Sequence, residues 1–318
     1  MLNEPSVVAV KKGTNRVLKN GNAVGVMAKE MIGKTPGTIT AIRPMMDGVI
    51  ADFDITEAML GYFIRKVHGR RSFVMPRVVI AVPSGITAVE KRAVYNSAER
   101  AGAREVYLVS EPKAAALGAG LPVAEPRASM VIDVGGGTTE VAILSLADVS
   151  VCESLRVAGD DMDDAIVAYM RRTYNMAIGP QMAERIKIEI GSASELEREM
   201  TMEVRGRDMI SGLPRRAVVS SEEVRESLKE PVGLIVEAVV RTLEKAEPEL
   251  AADLVEDGIA LAGGGAMLRG LDEVIEQTTG LRVAVADDPM TCVARGTSIF
   301  LEHLNEWKDT MESAEDAV

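Results

Sequence analysis

The hydrophobic positions of the chain form two kinds of segment that follow each other along its length. Short continuous apolar runs, such as residues 78–82 and 258–262, are typical of buried strands. Longer stretches, such as residues 160–174 and 271–279, repeat apolar side chains every three or four positions, which predicts helices with one buried face. Because strands alternate with helices, the pattern predicts an α/β fold with mostly parallel sheets.

The same pattern assigns an element to most of the chain. Strands are predicted at residues 7–10, 78–82, 105–110, 130–134, 140–145, 258–262 and 282–285. Helices are predicted at residues 54–67, 87–101, 114–118, 160–174, 181–190, 221–243, 271–279 and 292–302. Asp54 with Glu57, and Thr87 with Glu90, have the spacing of capping boxes. Residues 194–219 are charged and weakly periodic, which indicates a smaller subdomain that contains strands.

Length and charge narrow the possible functions. The 318 residues suggest two domains or one large two-lobed body. The net charge is −12 and aromatic residues make up 3%, so nucleic acid, which needs a basic surface and stacking platforms, is not an expected partner. The apolar runs are shorter than the ~18 residues of a membrane-spanning helix. The two distant cysteines, Cys152 and Cys292, fit a reducing cytoplasm.

The first motif with a chemical meaning is Asp133-Val-Gly-Gly-Gly-Thr-Thr139, which follows a predicted buried strand. Glycines without a β-carbon let the backbone approach a ligand and direct N–H groups at phosphate oxygens. Asp133 could hold Mg²⁺, usually through water, because Mg²⁺ keeps most of its hydration shell. A glycine-rich hairpin with a capping aspartate remains the alternative interpretation.

Two further features are weaker when taken alone. Gly263-Gly264-Gly265 follows another predicted strand, where either a close ligand or a tight turn would explain the glycines. Glu111 follows the strand at residues 105–110, and a carboxylate at a strand end is placed to orient a water molecule.

The order of these motifs carries more information than each motif does. Residues 111–116, 133–139, 184–187 and 263–265 occur in an order that resembles the actin-like ATPase superfamily. Further blocks narrow the resemblance to the MreB/Mbl family of bacterial actin homologues: residues 3–9, 42–45, 47–52, 82–87 and 156–160. This resemblance extends over nearly the whole chain.

The resemblance implies a two-domain, actin-like (ribonuclease H-like) α/β fold. Mixed sheets flanked by helices and a nucleotide cleft between the lobes are expected. The implied domain I covers residues 1–126, with a small subdomain at about 13–50. The implied domain II covers residues 127–318, with a small subdomain at about 192–220.

Residue roles follow from the resemblance by position, with ATP and Mg²⁺ as the implied cofactors. Glu111 and Thr138 are expected to position the attacking water, and Asp133 to help hold Mg²⁺. The expected nucleotide-binding residues are Asp133, Gly135, Gly136, Gly137, Thr138, Glu184, Arg185, Ile186, Lys187, Gly263, Gly264, Gly265, Ala266 and Met267. This chemistry suits phosphoryl transfer, which depends on positioning and charge neutralisation more than on covalent catalysis.

A basic stretch beside an apolar segment suggests contact with a membrane. Five basic residues precede three apolar ones in an otherwise acidic chain: Arg65, Lys66, His68, Arg70 and Arg71, followed by Phe73, Val74 and Met75. Basic side chains attract anionic headgroups, and apolar ones enter the interface. A helix end followed by a strand would also explain the pattern. MreB proteins bind the inner membrane through a loop at this location, so the resemblance favours membrane contact.

The implied function is that of a cell-shape-determining cytoskeletal protein. It would form ATP-dependent homopolymer filaments on the cytoplasmic face of the inner membrane, associated with anionic lipid and with inner-membrane cell-elongation proteins. A slow ATPase coupled to polymerisation is expected. Two alternatives are a non-hydrolysing actin-like scaffold and a small-molecule kinase of the same superfamily.

The sequence departs from the family pattern at its start. The family begins with a strand and an Asp-x-Gly-Thr phosphate turn, and no such turn precedes Asp133. The hypothesis from the sequence is that Met1 is a truncated or misassigned start, with the absent hairpin supplying half of the phosphate clamp. The scaffold alternative takes the chain as written.

Overall fold

The computed structural model describes residues 2–13, 17–18, 23–46, 48–68, 75–307 and 311–313. The chain forms two compact units. Unit 1 combines Met1–Val82, Ile86–Val109 and Phe300–Val318, and unit 2 combines Pro83–Gly85 and Ser110–Ile299. These units are groups of residues that pack together, whereas the domain division at 126/127 is implied by family resemblance and stays a prediction.

The described residues in the first part of the chain form short strands and helices. The elements are β1 (Val8–Lys11), α1 (Val26–Met31), β2 (Ile39–Ile42), β3 (Met45–Met46), β4 (Val49–Ile50), α2 (Phe53–His68), β5 (Arg77–Val82), α3 (Ala88–Arg100) and β6 (Glu105–Ser110). Strands β1 and β2 pair antiparallel, as do β3 and β4.

Two helix starts in this region test the predicted capping boxes. The Thr87 box is present: Glu90 N–H donates to Thr87 Oγ1, and Thr87 N–H donates to Glu90 Oε2 at 2.7 Å. The Asp54 box is wrong. Helix α2 begins at Phe53, so Asp52 occupies the capping position, and its Oδ1 accepts from Ile55 N at 3.1 Å.

The next part of the chain builds unit 2. The elements are α4 (Glu111–Gly118), β7 (Ser129–Val134), β8 (Thr139–Ser145), β9 (Asp148–Leu155), α5 (Gly159–Tyr174), β10 (Met176–Ala177), α6 (Pro180–Ile190), β11 (Thr201–Asp208), β12 (Pro214–Ser220), α7 (Ser221–Glu244), α8 (Pro248–Asp257), β13 (Ile259–Ala262), α9 (Leu271–Thr279), β14 (Val283–Val285) and α10 (Cys292–Glu302). Two 3₁₀ turns lie at Gly264–Met267 and Pro289–Thr291.

The last described elements return to unit 1. Helix α11 (Leu304–Trp307) follows α10, and β15 (Glu312–Ser313) pairs antiparallel with β6. The resulting sheet has the order β15-β6-β5.

The main sheet of unit 2 has the order β14-β13-β7-β8-β9. Strand β13 is parallel to β14 and β7, whereas β7 with β8 and β8 with β9 are antiparallel. The sheet is therefore mixed, as the family resemblance implies, and the mostly parallel arrangement suggested by the alternating pattern is wrong here. Only four residues join β7 to β8, too few for the crossover that a parallel pair requires.

The core of unit 2 lies where this sheet meets helices α5, α6, α7 and α9. Ile132 and Ile143 on the sheet, and Ile166, Leu228 and Ile275 on the helices, are at most 2% exposed and belong to one apolar cluster. Strands β10, β11 and β12 form a separate antiparallel sheet, which agrees with the strands expected within residues 194–219.

Candidate functional site

The first glycine turn joins β7 to β8 and is held by its own backbone. Gly135 N donates to Thr138 O at 2.9 Å, and Thr139 Oγ1 donates to Val157 O at 2.7 Å just after the turn. Gly136 is exposed, and a β-carbon at this position would meet no atom within 4 Å. The tip of the turn is therefore open to a ligand, while Asp133 and Thr138 on either side are 6% and 8% exposed.

Helix α5 fixes the turn from behind. Gly159 N donates to Gly135 O at 3.2 Å, and Asp160 N donates to Gly136 O at 2.7 Å. The first N–H groups of α5 thus bind the turn, so its conformation is set before any ligand arrives. Lys187 on α6 extends this support, because its Nζ donates to Gly159 O at 2.6 Å.

The second glycine turn lies directly beside the first. Ala262, the last residue of β13, pairs with Asp133 on β7. Gly263 has φ = 83°, and a β-carbon there would overlap Val134 O and approach Asp133 Oδ1. Gly265 is packed against the Val134 side chain in the same way, whereas Gly264 is exposed. Glycine at 263 therefore satisfies both a left-handed backbone and a close approach between two strand ends.

Three carboxyl groups converge near these turns. Glu111 is the first residue of α4, a helix that packs on β7 and β8, and Glu140 is the cross-strand partner of Asp133. Burial raises the pKa of Glu111 to about 8, and the charges of Asp133 and Glu140 add to the rise. Burial also raises the pKa of Asp133 to about 7, again with a contribution from Glu140. Negative charge is thus costly here, which suits a site that receives a cation.

Glu140 is the site residue that the sequence analysis missed. Its side chain is fully buried and accepts hydrogen bonds from Ser154 Oγ at 2.5 Å and Ser84 N at 3.2 Å. A signal for it exists in the sequence, because a four-residue turn between paired strands places position 140 opposite Asp133.

The four expected residues at 184–187 lie on different faces of helix α6 and differ in their surroundings, and Glu184 among them is half-buried. Lys187 Nζ lies 2.8 Å from Asp163 Oδ1, and burial raises the pKa of Asp163 to about 6 although Lys187 lowers it. Ile186 is fully buried in the core of unit 2. Arg185 is exposed and pairs with Glu189 at 2.6 Å. Lys187 therefore adjoins the first turn, whereas the Ile186 and Arg185 side chains point elsewhere, and the nucleotide roles of all four stay predictions.

The residues of the second turn also differ in exposure. Ala266 is 3% exposed and Met267 is 61% exposed. The Met267 side chain is therefore accessible from solvent, whereas Ala266 belongs to the apolar core cluster of unit 2.

The site fits Mg²⁺ through one carboxylate rather than through a protein cage. Among the described residues, no three His, Cys, Asp or Glu side chains are grouped so that they could hold a metal ion together. Asp133 is almost fully buried beside an open glycine turn, and burial together with the charge of Glu140 raises its pKa. Mg²⁺ commonly binds one or two carboxylates together with substrate phosphates. Asp133 is the residue that would hold it.

The expected membrane-contact residues are described only in part. Phe73 and Val74 lie outside the described residues, as do Arg70 and Arg71. Met75 is 62% exposed. Lys66 forms an ion pair with Glu4 and lies 5.4 Å from the centre of the Tyr62 ring, so its charge is already partnered. Within the described ranges, no helix combines the length and apolar character needed to cross a membrane.

The sequence profile of the family described as MreB/Mbl protein matches residues 1–309. The chain belongs to the MreB/Mbl family. It is 53% identical over 307 residues to the cell shape-determining protein MreB of Escherichia coli strain K12, covering 96% of this chain and 88% of the relative.

Solved structures of an MreB protein agree with this assignment. The crystal structure of MreB5 of Spiroplasma citri bound to ADP superposes with a TM-score of 0.90 at 39% identity, over 97% of this chain and 92% of the other. The same protein bound to AMPPNP gives a TM-score of 0.88 at 38% identity, over 96% and 91%. The actin-like fold of the MreB/Mbl family is confirmed.

Family membership also gives the general function. The chain is a cell shape-determining, actin-like cytoskeletal protein. The kinase and scaffold alternatives are not favoured, because the named relatives on which the assignment rests are cell shape-determining proteins.

Proposed function

We propose that unit 2 binds ATP with Mg²⁺ at its two glycine turns and that the chain hydrolyses the nucleotide slowly. The observation that carries this proposal is the pairing of β7 with β13, which brings Gly135–Gly137 and Gly263–Gly265 side by side around the buried Asp133. The MreB5 relative, which is bound to ADP in one structure and to AMPPNP in another, supports the same choice of ligand.

The residues divide the chemistry among them. The exposed backbone at Gly136 can approach the phosphates, and Asp133 would hold Mg²⁺, which supplies charge neutralisation when bound. Thr138 and Glu111 flank the open turn and are the groups that would orient the attacking water. Because the turn is already fixed by α5, little conformational entropy is lost when phosphate binds.

A calorimetric titration of Mg·ATP into the full chain and its Gly136→Ala variant tests the proposal. A β-carbon at 136 meets no atom of the chain, and Gly136 is outside the left-handed region, so the variant should fold normally. The added methyl group occupies the space that a phosphate would use. We expect the affinity to fall about tenfold or more, a loss of roughly 1.4 kcal/mol, with an unchanged melting temperature.

Gly233→Ala is the matched control, because a β-carbon at 233 on α7 also meets no atom within 4 Å. It should bind Mg·ATP as the wild type does. Equal affinity of all three proteins would show that the first turn does not contact the nucleotide, and absence of binding by the folded wild type would overturn the proposal.

The same proposal covers assembly and location. We infer that nucleotide-bound copies associate into filaments, as expected of an actin-like cytoskeletal protein. The filaments would lie on the cytoplasmic face of the inner membrane through Phe73, Val74 and Met75, together with inner-membrane proteins of cell elongation. The exposed Met75 is the described residue that supports membrane contact.

A further inference from the structure

Glu140 occupies an unusual place for an ionisable side chain. It lies on β8, two residues after Thr138, and its side chain is fully buried. Its cross-strand neighbours are Asp133 on β7 and Ser154 on β9. The carboxyl group is therefore part of the strand that carries the first glycine turn, but it does not face the open tip at Gly136.

Three donors contact the Glu140 carboxyl group. Oε1 accepts from Ser154 Oγ at 2.5 Å, and Oε2 accepts from Ser84 N at 3.2 Å. Cys152 Sγ lies 3.8 Å from Oε2. These hydrogen bonds lower the pKa of the Glu140 carboxyl group, whereas burial, the larger effect, raises it.

A buried carboxylate accepts these hydrogen bonds at a higher cost in folding free energy than a neutral group would. Burying its charge costs free energy that a neutral amide would not cost, and its charge also disfavours the ionised forms of Asp133 and Glu111. Such a cost at the edge of a ligand site points to a requirement of function, because stability alone would favour a neutral residue.

The bonds of Glu140 join the start of β8, directly after Thr138, to two other pieces of chain. One is β9, which contains Ser154. The other is the segment Pro83–Gly85, which belongs to unit 2 although β5 before it and α3 after it belong to unit 1. Gly85 adds a second contact, since a β-carbon there would lie 3.4 Å from Ser154 Cβ. Glu140 and Ser154 together hold this three-residue segment against the strand.

We propose that Glu140 is a positioning residue for ATP hydrolysis: its buried carboxylate fixes the start of β8 on Ser154 and Ser84, so that Thr138 is held in line with Glu111. This inference rests on the proposed function. It predicts that loss of Glu140 lowers turnover but not binding, because the backbone at Gly136 and the Asp133 carboxylate can still engage Mg·ATP when Thr138 is misplaced. Small displacements of orienting groups reduce rates far more than affinities.

The test compares Glu140→Gln with the wild type in two measurements, Mg·ATP affinity by calorimetry and kcat by phosphate release. Glutamine keeps the shape but offers one acceptor oxygen where the carboxylate offers two. We expect kcat to fall about tenfold or more while the Kd stays within about threefold. Ser154→Ala keeps the carboxylate and removes one donor, so it should lower kcat by about two- to fivefold even if Glu140→Gln folds poorly.

Glu153→Gln is the matched control on the neighbouring strand, because Glu153 is paired with Arg241 and Lys245 away from the turns. It should change neither kcat nor Kd beyond about twofold. Unchanged kcat in both Glu140→Gln and Ser154→Ala, or parallel losses of kcat and affinity, would overturn the inference. A folded wild type without Mg·ATP binding would overturn the proposed function, and this inference with it.

Discussion

Burial and mutual repulsion of three carboxyl groups destabilise the folded chain when no cation is bound: those of Glu111, Asp133 and Glu140. Burial and mutual repulsion raise the pKa of Glu111 to about 8 and of Asp133 to about 7. A divalent cation bound here would reduce this repulsion, so binding would restore part of the folding free energy that the carboxyl groups cost. The arrangement therefore couples ligand binding to stability at the level of single side chains.

The raised pKa of Glu111 makes the free energy of unfolding depend on pH in a known direction. In the folded chain the pKa of Glu111 is about 8, so the carboxyl group holds its proton up to that pH, whereas in the unfolded chain it releases the proton near the ordinary glutamate pKa of 4.5. Since the unfolded state binds fewer protons between these values, stability falls as pH rises through that range. Without nucleotide or metal, Glu111→Gln should raise the melting temperature by a few degrees at pH 8 and by less at pH 5.

Glu153→Gln is the control of opposite sign for this measurement. Its ion pairs with Arg241 and Lys245 lower the pKa of Glu153, so its contribution to stability is present above the unfolded pKa and is lost as pH falls. The variant should lower the melting temperature, more at pH 8 than at low pH. A Glu111→Gln effect that is equal at pH 5 and pH 8 would contradict the assigned pKa.

At the scale of elements, the sequence predicts best where the hydrophobic pattern is strong. The helix at residues 271–279 and the strand at 105–110 are found with the predicted bounds, because apolar spacing alone defines them. Helix α8 was missed although Pro248 at its start and Gly258 after its end, with φ = 77°, are typical of helix boundaries. Strand β9 was missed because it is largely half-exposed and lacks a continuous apolar run.

The residues of the candidate site also differ in how far the sequence alone could predict them. Motif order identified the two glycine turns, Glu111 and Asp133, but Glu140 carries no motif of its own. Its role depends on donors at Ser84 and Ser154, which only the folded chain brings together. Similarly, the separation of Lys187 from Arg185 and Ile186 depends on which face of α6 packs on the core.

Helices α4 and α10 approach each other closely at two glycines. A β-carbon at Gly118 would overlap the carbonyl oxygen of Cys292, and one at Gly296 would overlap that of Ala114. Glycine at both positions allows the two backbones to touch. Because α4 begins with Glu111, this contact also fixes the position of the carboxyl group relative to β7.

Gly296→Ala should therefore reverse the usual effect of alanine in a helix. An exposed helical glycine gains up to about 1 kcal/mol when replaced by alanine. At 296 the methyl group must push α4 and α10 apart, which should cost about 1–3 kcal/mol and lower the melting temperature. Gly233→Ala on α7, where space is open, should raise it. Thermal melts of the two variants decide this, and a stabilised Gly296→Ala chain would rule out the close contact.

For the whole molecule, the proposed membrane contact requires an acidic protein to bind an anionic surface. With a net charge of −12, the protein as a whole is repelled by such a membrane, so the proposed contact would depend on a local apolar and basic segment. Lys66 contributes little to it, because Glu4 already neutralises its charge. Apolar insertion should therefore dominate over charge.

Replacement of Phe73 and Met75 by serine should abolish co-pelleting with anionic liposomes. The matched control replaces Val89 and Val255 by serine, which are 77% and 71% exposed on other helices. The control should pellet as the wild type does, since single exposed apolar residues elsewhere are ordinary surface. If the Phe73 and Met75 variant still pellets fully, the membrane contact lies in another part of the molecule.

The pairing of β6 with β15 has a consequence for the order in which the protein is made. The ribosome releases β6 roughly 200 residues before β15, which at typical rates of synthesis is a delay of about 10–40 s. Nearly all of unit 2 is synthesised during that interval, while the edge of β6 that later binds β15 is still unpaired. An unpaired strand edge readily joins other strands, so the nascent protein should be most prone to aggregation through β6 before β15 has been made.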